Sequence, residues 1–242
     1  VRIQGVLPGD DVRVIAPIRS SQELFQLLAT ANALDNIRAK KQYLCIPYLM
    51  GARSDRVMVP GDSVDLKVVC DLINYMGFEN VFLYDVHSDA ATHWIKNVTN
   101  YSNENLVKEY KDEDSVLICP DVGASKKVDK YFGWNSKIKE VVYCIKSRDL
   151  TNGKITLKVL EPERCKDRNC VTIDDLIDGG GTFLGIASQI QPKKHTLIVT
   201  HGIFSKGFKG LEENFDSIIC SNSYRFGYES NIVKVINHPF CE

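Results

Sequence analysis

The sequence predicts an α/β protein of two similar halves, each a mostly parallel sheet flanked by helices. Short β-rich runs alternate with helix-period segments through almost all of the 242 residues. The runs are apolar along their length, as strands buried on both faces are, and the segments between them are amphipathic. The plan is laid out once over residues 1–110 and again over 111–242, with a tail able to return to the first half.

In order, "VRVIAPI" is a strand followed by the helix "SQELFQLLATANALDNIRAK", and "YLCIPYL" is a strand followed by "SVDLKVVCDLINYMG". The latter carries Leu66, Val69, Cys70, Ile73 and Met76 at helical spacing and stops at Gly77, a residue suited to a helix C-terminus. "SVLICP" precedes a helix over "GASKKVDKYFG". "EVVYCIK" and "CVTIDD" are strands, a helix starts at Gly181, and "HTLIVTH", a short helix near Leu211 and "DSIIC" complete the second half. From about Leu150 to Lys166 the rhythm breaks in a charge-rich excursion, with "KITLKVL" as an extra strand.

A net charge of −1 without a basic stripe excludes nucleic acid as a first expectation. No apolar run reaches the roughly 18 residues of a membrane span, and no basic-then-apolar leader opens the chain. The expectation is a soluble, cytoplasmic protein. Cys45, Cys70, Cys119, Cys144 and Cys220 sit in apolar runs and are expected to be small buried hydrophobes. Cys165 and Cys170 could clip a metal or a disulfide, but their spacing fits no common zinc pattern, and reduced thiols are expected.

Six predicted strands end in polar clusters: "GARSDR", "DVHSD", "PDVGAS", "KSRD", "DDLIDGGGT" and "THGIFS". Ligands of open α/β sheets collect at the carboxyl ends of strands, so these clusters mark a site. The most informative is "DDLIDGGGT". Asp174 and Asp175 are expected where the chain leaves the sheet, and Asp178, Gly179, Gly180, Gly181 and Thr182 turn into a helix. Bare glycines let backbone N–H groups converge on a phosphate, and a helix N-terminus favours the anion. Two carboxylates beside a phosphate must face something else, most simply sugar hydroxyls. The combination suggests a ribose phosphate.

That loop resembles the signature of the type I phosphoribosyltransferase fold, and the chain as a whole resembles the ribose-phosphate diphosphokinase (phosphoribosyl pyrophosphate synthetase) family. "IPYLMGARSDR", "DVHSD", "CPDVGASKKV", "IKSR" and "VTHGIFSKG" follow the family's motifs in order from about Val12 to Asn237. The resemblance implies two phosphoribosyltransferase-like halves and a magnesium-dependent transfer of the β,γ-diphosphate of ATP to the anomeric hydroxyl of ribose 5-phosphate, releasing AMP. By the same resemblance Arg53, Ser54, Asp55 and His87 lie in the ATP site, and His87 and Asp121 stand near Mg2+. Asp174 and Asp175 hold the ribose hydroxyls, and Asp178 through Thr182 wrap the 5-phosphate. Lys146 and Arg148, with His87, form the catalytic set. Homo-oligomerisation is implied as well.

The chain departs from the family pattern at Gly179, where the family has Thr, and at Ser54, where Gln is usual. The first departure suggests a wider pocket and an alternative acceptor with a substituted 5-phosphate, ADP-ribose, used by some phage relatives in NAD rebuilding. Against the pattern the chain also begins some tens of residues late, short of a stretch whose loop reaches the adenine site of a neighbouring subunit. A phosphoribosyltransferase shares the glycine loop but has no need of "GARSDR" or "THGIFS". A non-catalytic regulatory partner of the synthetase tends to lose catalytic residues, whereas this chain keeps His87, Asp121, Lys146 and Arg148.

Overall fold

The computed structural model describes residues 1–112, 114–121, 123–125, 128, 138–148 and 155–241, with the side chains of 139, 147, 148 and 155 outside that set. The chain divides into two compact units, Val1–Ser102 together with the tail from Asn237, and Asn103–Ile236.

The first unit holds β1 (Asp11–Ile15), α1 (Ser21–Ile37), β2 (Lys41–Ile46), α2 (Asp65–Tyr75), β3 (Asn80–Tyr84), α3 (Ala90–Trp94) and β4 (Val98–Tyr101). Its four strands form a sheet in the order β1-β2-β3-β4, every pair parallel. Ser20 caps α1 by accepting the N–H of Glu23 at 3.2 Å. Arg38 ends that helix in the left-handed region at φ 61°. Leu66, Val69, Cys70 and Ile73 are buried on one face of α2, and Gly77 follows it at φ 73°. These side chains join Leu24, Leu27 and Ala31 of α1 and Leu44, Ile46 and Leu83 of the strands in one core. β4 is an edge strand that the sequence pattern did not announce, since its residues are polar and mostly exposed.

The second unit holds α4 (Glu104–Val107), β5 (Ser115–Cys119), β6 (Ile138–Arg148), β7 (Ile155–Val159), a 3-10 turn (Pro162–Cys165), β8 (Asn169–Ile177), α5 (Gly181–Ala187), β9 (Lys194–Gly202), α6 (Lys209–Glu212), β10 (Ser217–Ser221) and β11 (Val233–Ile236). The seven strands run β11-β10-β9-β8-β5-β6-β7. All neighbours are parallel except β6 and β7, which pair antiparallel, so the expected excursion is an edge hairpin. The expected helix over "GASKKVDKYFG" lies largely outside the described residues. β5 is buried at every residue, in keeping with its place inside the sheet. Cys165 and Cys170 are buried and unbridged, as are Cys45, Cys70, Cys119, Cys144 and Cys220.

The strand order decides where this unit can bind. From β5 the chain passes to β6 and β7 on one side, then returns to β8, β9, β10 and β11 on the other. The reversal falls between β5 and β8, and a crevice opens at such a switch point beyond the carboxyl ends of the strands.

Candidate active site

In the first unit the clusters "GARSDR" and "DVHSD" follow neighbouring strands β2 and β3. Gly51 has φ 76°, and a β-carbon there would stand 3.2 Å from the backbone of Asp65 and Leu66, so the loop after β2 lies directly against the start of α2. Ser54 serves that helix. Its carbonyl accepts the N–H of Leu66 at 3.2 Å, and its hydroxyl donates to the carbonyl of Ser63 at 3.3 Å. Asp55 is clamped as well, taking the Arg56 guanidinium at 2.8 and 3.1 Å and the Ser88 hydroxyl at 2.8 Å. Arg56 beside it, helped by Ser88, holds the Asp55 carboxyl below the usual carboxylate range. Ser54 and Asp55 therefore shape the loop, while the side chains of Arg53 and His87 are exposed beyond it.

In the second unit the candidate residues lie on adjacent strands. Asp174 and Asp175 do not stand beyond the sheet as expected. β8 continues through them to Ile177, because β9 pairs with it as far as Gly202. Ile118 of β5 is opposite Thr172, so three residues further along each strand direction come Asp121 and Asp175. β6 runs on past the end of β5, supported there by β7, and carries Lys146 opposite Leu157 and Arg148 opposite Ile155. The side chain of Arg148 lies outside the described residues. Lys146 Nζ is 3.9 Å from Asp121 Oδ2, and Asp121 Oδ1 accepts the N–H of Ala124 at 3.0 Å. The arrangement thus brings together Asp121, Lys146, Asp174 and Asp175.

Their electrostatics are unusual for carboxyls. Desolvation above all, then the charge of Asp175 and more weakly that of Asp121, pushes the Asp174 carboxyl well above its ordinary value. Its Oδ1 accepts the N–H of Asp175 at 2.9 Å. The Asp174 carboxyl therefore holds its proton more tightly than an ordinary carboxylate, and in the protonated form it can donate as well as accept hydrogen bonds.

After Ile177 come Asp178, Gly179 and Gly180, and α5 begins at Gly181. Gly180, the residue before the first helical one, has φ 77°, which only glycine adopts freely, and brings no side chain to the start of the helix. A β-carbon on Gly181 would meet nothing within 4 Å, so the backbone is open to a ligand on that side. Sequence reasoning assigned no role to the neighbouring buried network. His201 Nδ1 lies 2.8 Å from Ser223 Oγ, Ser221 Oγ donates to Ser223 Oγ at 2.7 Å, and Asn103 donates to Thr200 Oγ1 at 3.0 Å. The only sequence signal for it is "THGIFS", whose histidine and threonine end β9.

A family profile described as the N-terminal domain of ribose phosphate pyrophosphokinase matches residues 1–77. Ribose-phosphate pyrophosphokinase 2 of Archaeoglobus fulgidus is 32% identical over 228 residues, covering 87% of this chain and 78% of the relative. The chain belongs to the ribose-phosphate pyrophosphokinase family. Ribose-phosphate pyrophosphokinase of Mycoplasmopsis pulmonis is 26% identical over 88% of this chain and 69% of its own length. The fold is that of phosphoribosylpyrophosphate synthetase from Mycobacterium smegmatis, whose structure matches with a TM-score of 0.85 at 23% identity, over 98% of this chain and 81% of that one. The relatives' names give no support to ADP-ribose as the acceptor.

Proposed function

We propose that the protein transfers the β,γ-diphosphate of ATP to the anomeric hydroxyl of ribose 5-phosphate, forming phosphoribosyl pyrophosphate and AMP. Membership of the pyrophosphokinase family carries the reading, and the site chemistry agrees with it. The open glycine loop from Asp178 to Thr182 receives the 5-phosphate on backbone N–H groups. Asp174 and Asp175 take the ribose hydroxyls through their carboxyl oxygens. Arg53, Asp55 and His87 belong to the nucleotide side, with Arg53 on the phosphates; Ser54 contributes through the shape of its loop.

Phosphoryl transfer passes through a loose transition state, so positioning and the neutralisation of spread negative charge account for most of the catalysis. Lys146 is suited to this, because among the described residues a single carboxylate approaches it, at 3.9 Å. On this reading it moves from Asp121 toward the transferring group, joined by Arg148. The anomeric hydroxyl oxygen attacks the β-phosphorus of ATP and forms the new P–O bond as the bond from that phosphorus to the α,β-bridging oxygen breaks; AMP leaves with that bond's electron pair, and the hydroxyl proton passes to solvent.

Magnesium is part of the proposal. Among the described residues no three His, Cys, Asp or Glu side chains could hold a metal unaided. Mg2+ is usually held by one or two carboxylates together with substrate phosphates. Asp121 fits as a carboxylate donor, since its side chain is a third exposed and, among the described residues, takes one N–H at 3.0 Å and faces one ammonium at 3.9 Å. His87, exposed after β3, is the other candidate neighbour. The ion supplies charge neutralisation of the diphosphate. Assembly into homo-oligomers and a cytoplasmic setting complete the proposal. Among the described residues no helix is long and apolar enough to cross a membrane.

The test is AMP release from ATP and Mg2+ with ribose 5-phosphate, with ADP-ribose, or with neither. AMP together with 31P signals of an anomeric diphosphate is expected with ribose 5-phosphate. Release with ADP-ribose alone overturns the acceptor, and silence in every arm favours a non-catalytic protein.

A further inference from the structure

Lys206 stands out because its stem fills the volume that a side chain at Gly179 would need. A β-carbon on Gly179 would lie 3.3 Å from both Cδ and Cε of Lys206 and 3.6 Å from Cγ. The aliphatic part of the lysine therefore lies along the bare backbone of the loop, and the ammonium is one bond beyond Cε. Gly179 leaves room for the lysine, so the space left by the missing side chain is already filled.

The turn carrying Lys206 is held in place. Ile203 N–H donates to Ile177 O at 2.8 Å and Ser205 N–H to Asp178 O at 3.2 Å, joining the turn to the end of β8. Phe204 at φ 51° and Gly207 at φ 72° fix its shape, and Gly207 N–H returns to Phe204 O at 3.0 Å. Behind it Phe204 packs on Phe208 and Tyr228 with ring centroids 4.7 and 5.0 Å away, and the Tyr228 hydroxyl donates to Gly202 O at 2.5 Å. The lysine thus hangs from a rigid base while its own side chain is exposed and makes no ion pair among the described residues.

We infer that Lys206 is a specificity residue for the phosphate group of the acceptor, its ammonium closing over the loop from Asp178 to Thr182 to bind a phosphomonoester dianion. The inference rests on the functional reading above and adds to it a residue that the glycine loop alone does not supply. A point charge on a flexible stem suits a dianion that must enter and leave, and it discriminates against sugars without the phosphate.

Calorimetric titration of ribose 5-phosphate into the full chain tests this without requiring turnover. Lys206→Met keeps the stem and removes the charge, and about a tenfold weaker binding is expected. Lys206→Arg should restore most of the loss, while KM for ATP in both variants should stay close to that of the parent. Unchanged or tighter ribose 5-phosphate binding by Lys206→Met overturns the inference, the tighter result making Lys206 a plug over the loop. A parent protein that binds ribose 5-phosphate through Lys206 yet releases no AMP would sink the functional reading and leave the role of Lys206 standing.

Discussion

Ser88 donates its hydroxyl hydrogen to Asp55 Oδ2 at 2.8 Å, joining the loop after β3 to the loop after β2. Both partners are shielded from solvent, Ser88 being 8% exposed, and Asp55 is fixed from the other side by Arg56. Arg53 and His87 are carried by the two loops that this contact joins.

Ser88→Ala removes two hydrogen bonds, the one donated to Asp55 and the one accepted from the N–H of Ala90 at 3.2 Å, each worth about 1 kcal/mol. It should raise KM for ATP several-fold and leave KM for ribose 5-phosphate unchanged. Steady-state kinetics with each substrate varied in turn checks this, and an equal rise in both constants would show that the bonds only stabilise the unit as a whole.

Lys146→Ala should lower kcat by about a hundredfold or more while KM for each substrate changes little, the pattern of a charge used mainly in the transition state. Single-turnover AMP release separates the chemical step from product release. Equal losses in kcat and in substrate affinity would assign Lys146 to ground-state binding.

Asp174→Asn should stabilise the apoprotein at neutral pH and remove its activity. The sign follows from the raised carboxyl: above the ordinary carboxylate value ionisation occurs more readily in the unfolded chain, so the folded state is penalised there and relieved as pH falls through the folded value. A neutral amide removes both the desolvation cost and the repulsion from Asp175. Differential scanning calorimetry at pH 7 should show a melting temperature higher by on the order of a few degrees. A lower one would mean that the carboxyl is ionised and favourably paired.

Much of the architecture was legible because propensity and burial agree in this chain. The apolar spacing of α2 and the uninterrupted apolar runs of β5 and β9 match their buried positions. The glycine loop was legible for a similar reason, since Gly180 has a backbone conformation that other residues rarely adopt. Other features depend on partners distant in sequence. β8 extends through Asp174 and Asp175 only because β9 continues beside it, and no local pattern announces that pairing. Ser54 turns to α2 because Gly51 brings the loop against it. The switch point follows from β8 lying next to β5, a choice of neighbour that the order of elements does not specify. β4 and β11 escaped notice because they are short edge strands, where burial imposes little pattern.

Gly202→Ala should destabilise the second unit by about 1–3 kcal/mol, since a β-carbon there collides with the Phe204 ring and crowds the Tyr228 hydroxyl at 3.0 Å. Urea denaturation measures the loss. Because Phe204 anchors the turn carrying Lys206, the same variant should weaken ribose 5-phosphate binding, and Phe204→Leu, which makes room for the new methyl group, should recover stability in the double variant.

His195 gives the unit a pH-dependent weakness. It is 1% exposed, Nε2 lies 2.9 Å from Thr172 Oγ1, its ring packs 4.3 Å from Phe215, and Nδ1 has no hydrogen-bond partner among the described residues. Burial pushes the imidazole down from 6.5 to about 4, against the weaker opposing effect of Asp216. The unfolded chain therefore takes up a proton near pH 6.5 that the folded chain refuses until about pH 4. Stability is fully present above the unfolded value and falls as pH drops through that window, by about 3 kcal/mol in all. Urea midpoints measured between pH 7.5 and 4 should show the decline, and His195→Gln, which cannot take up the proton, should flatten it. A variant that loses stability with pH as steeply as the parent would assign the decline to other groups.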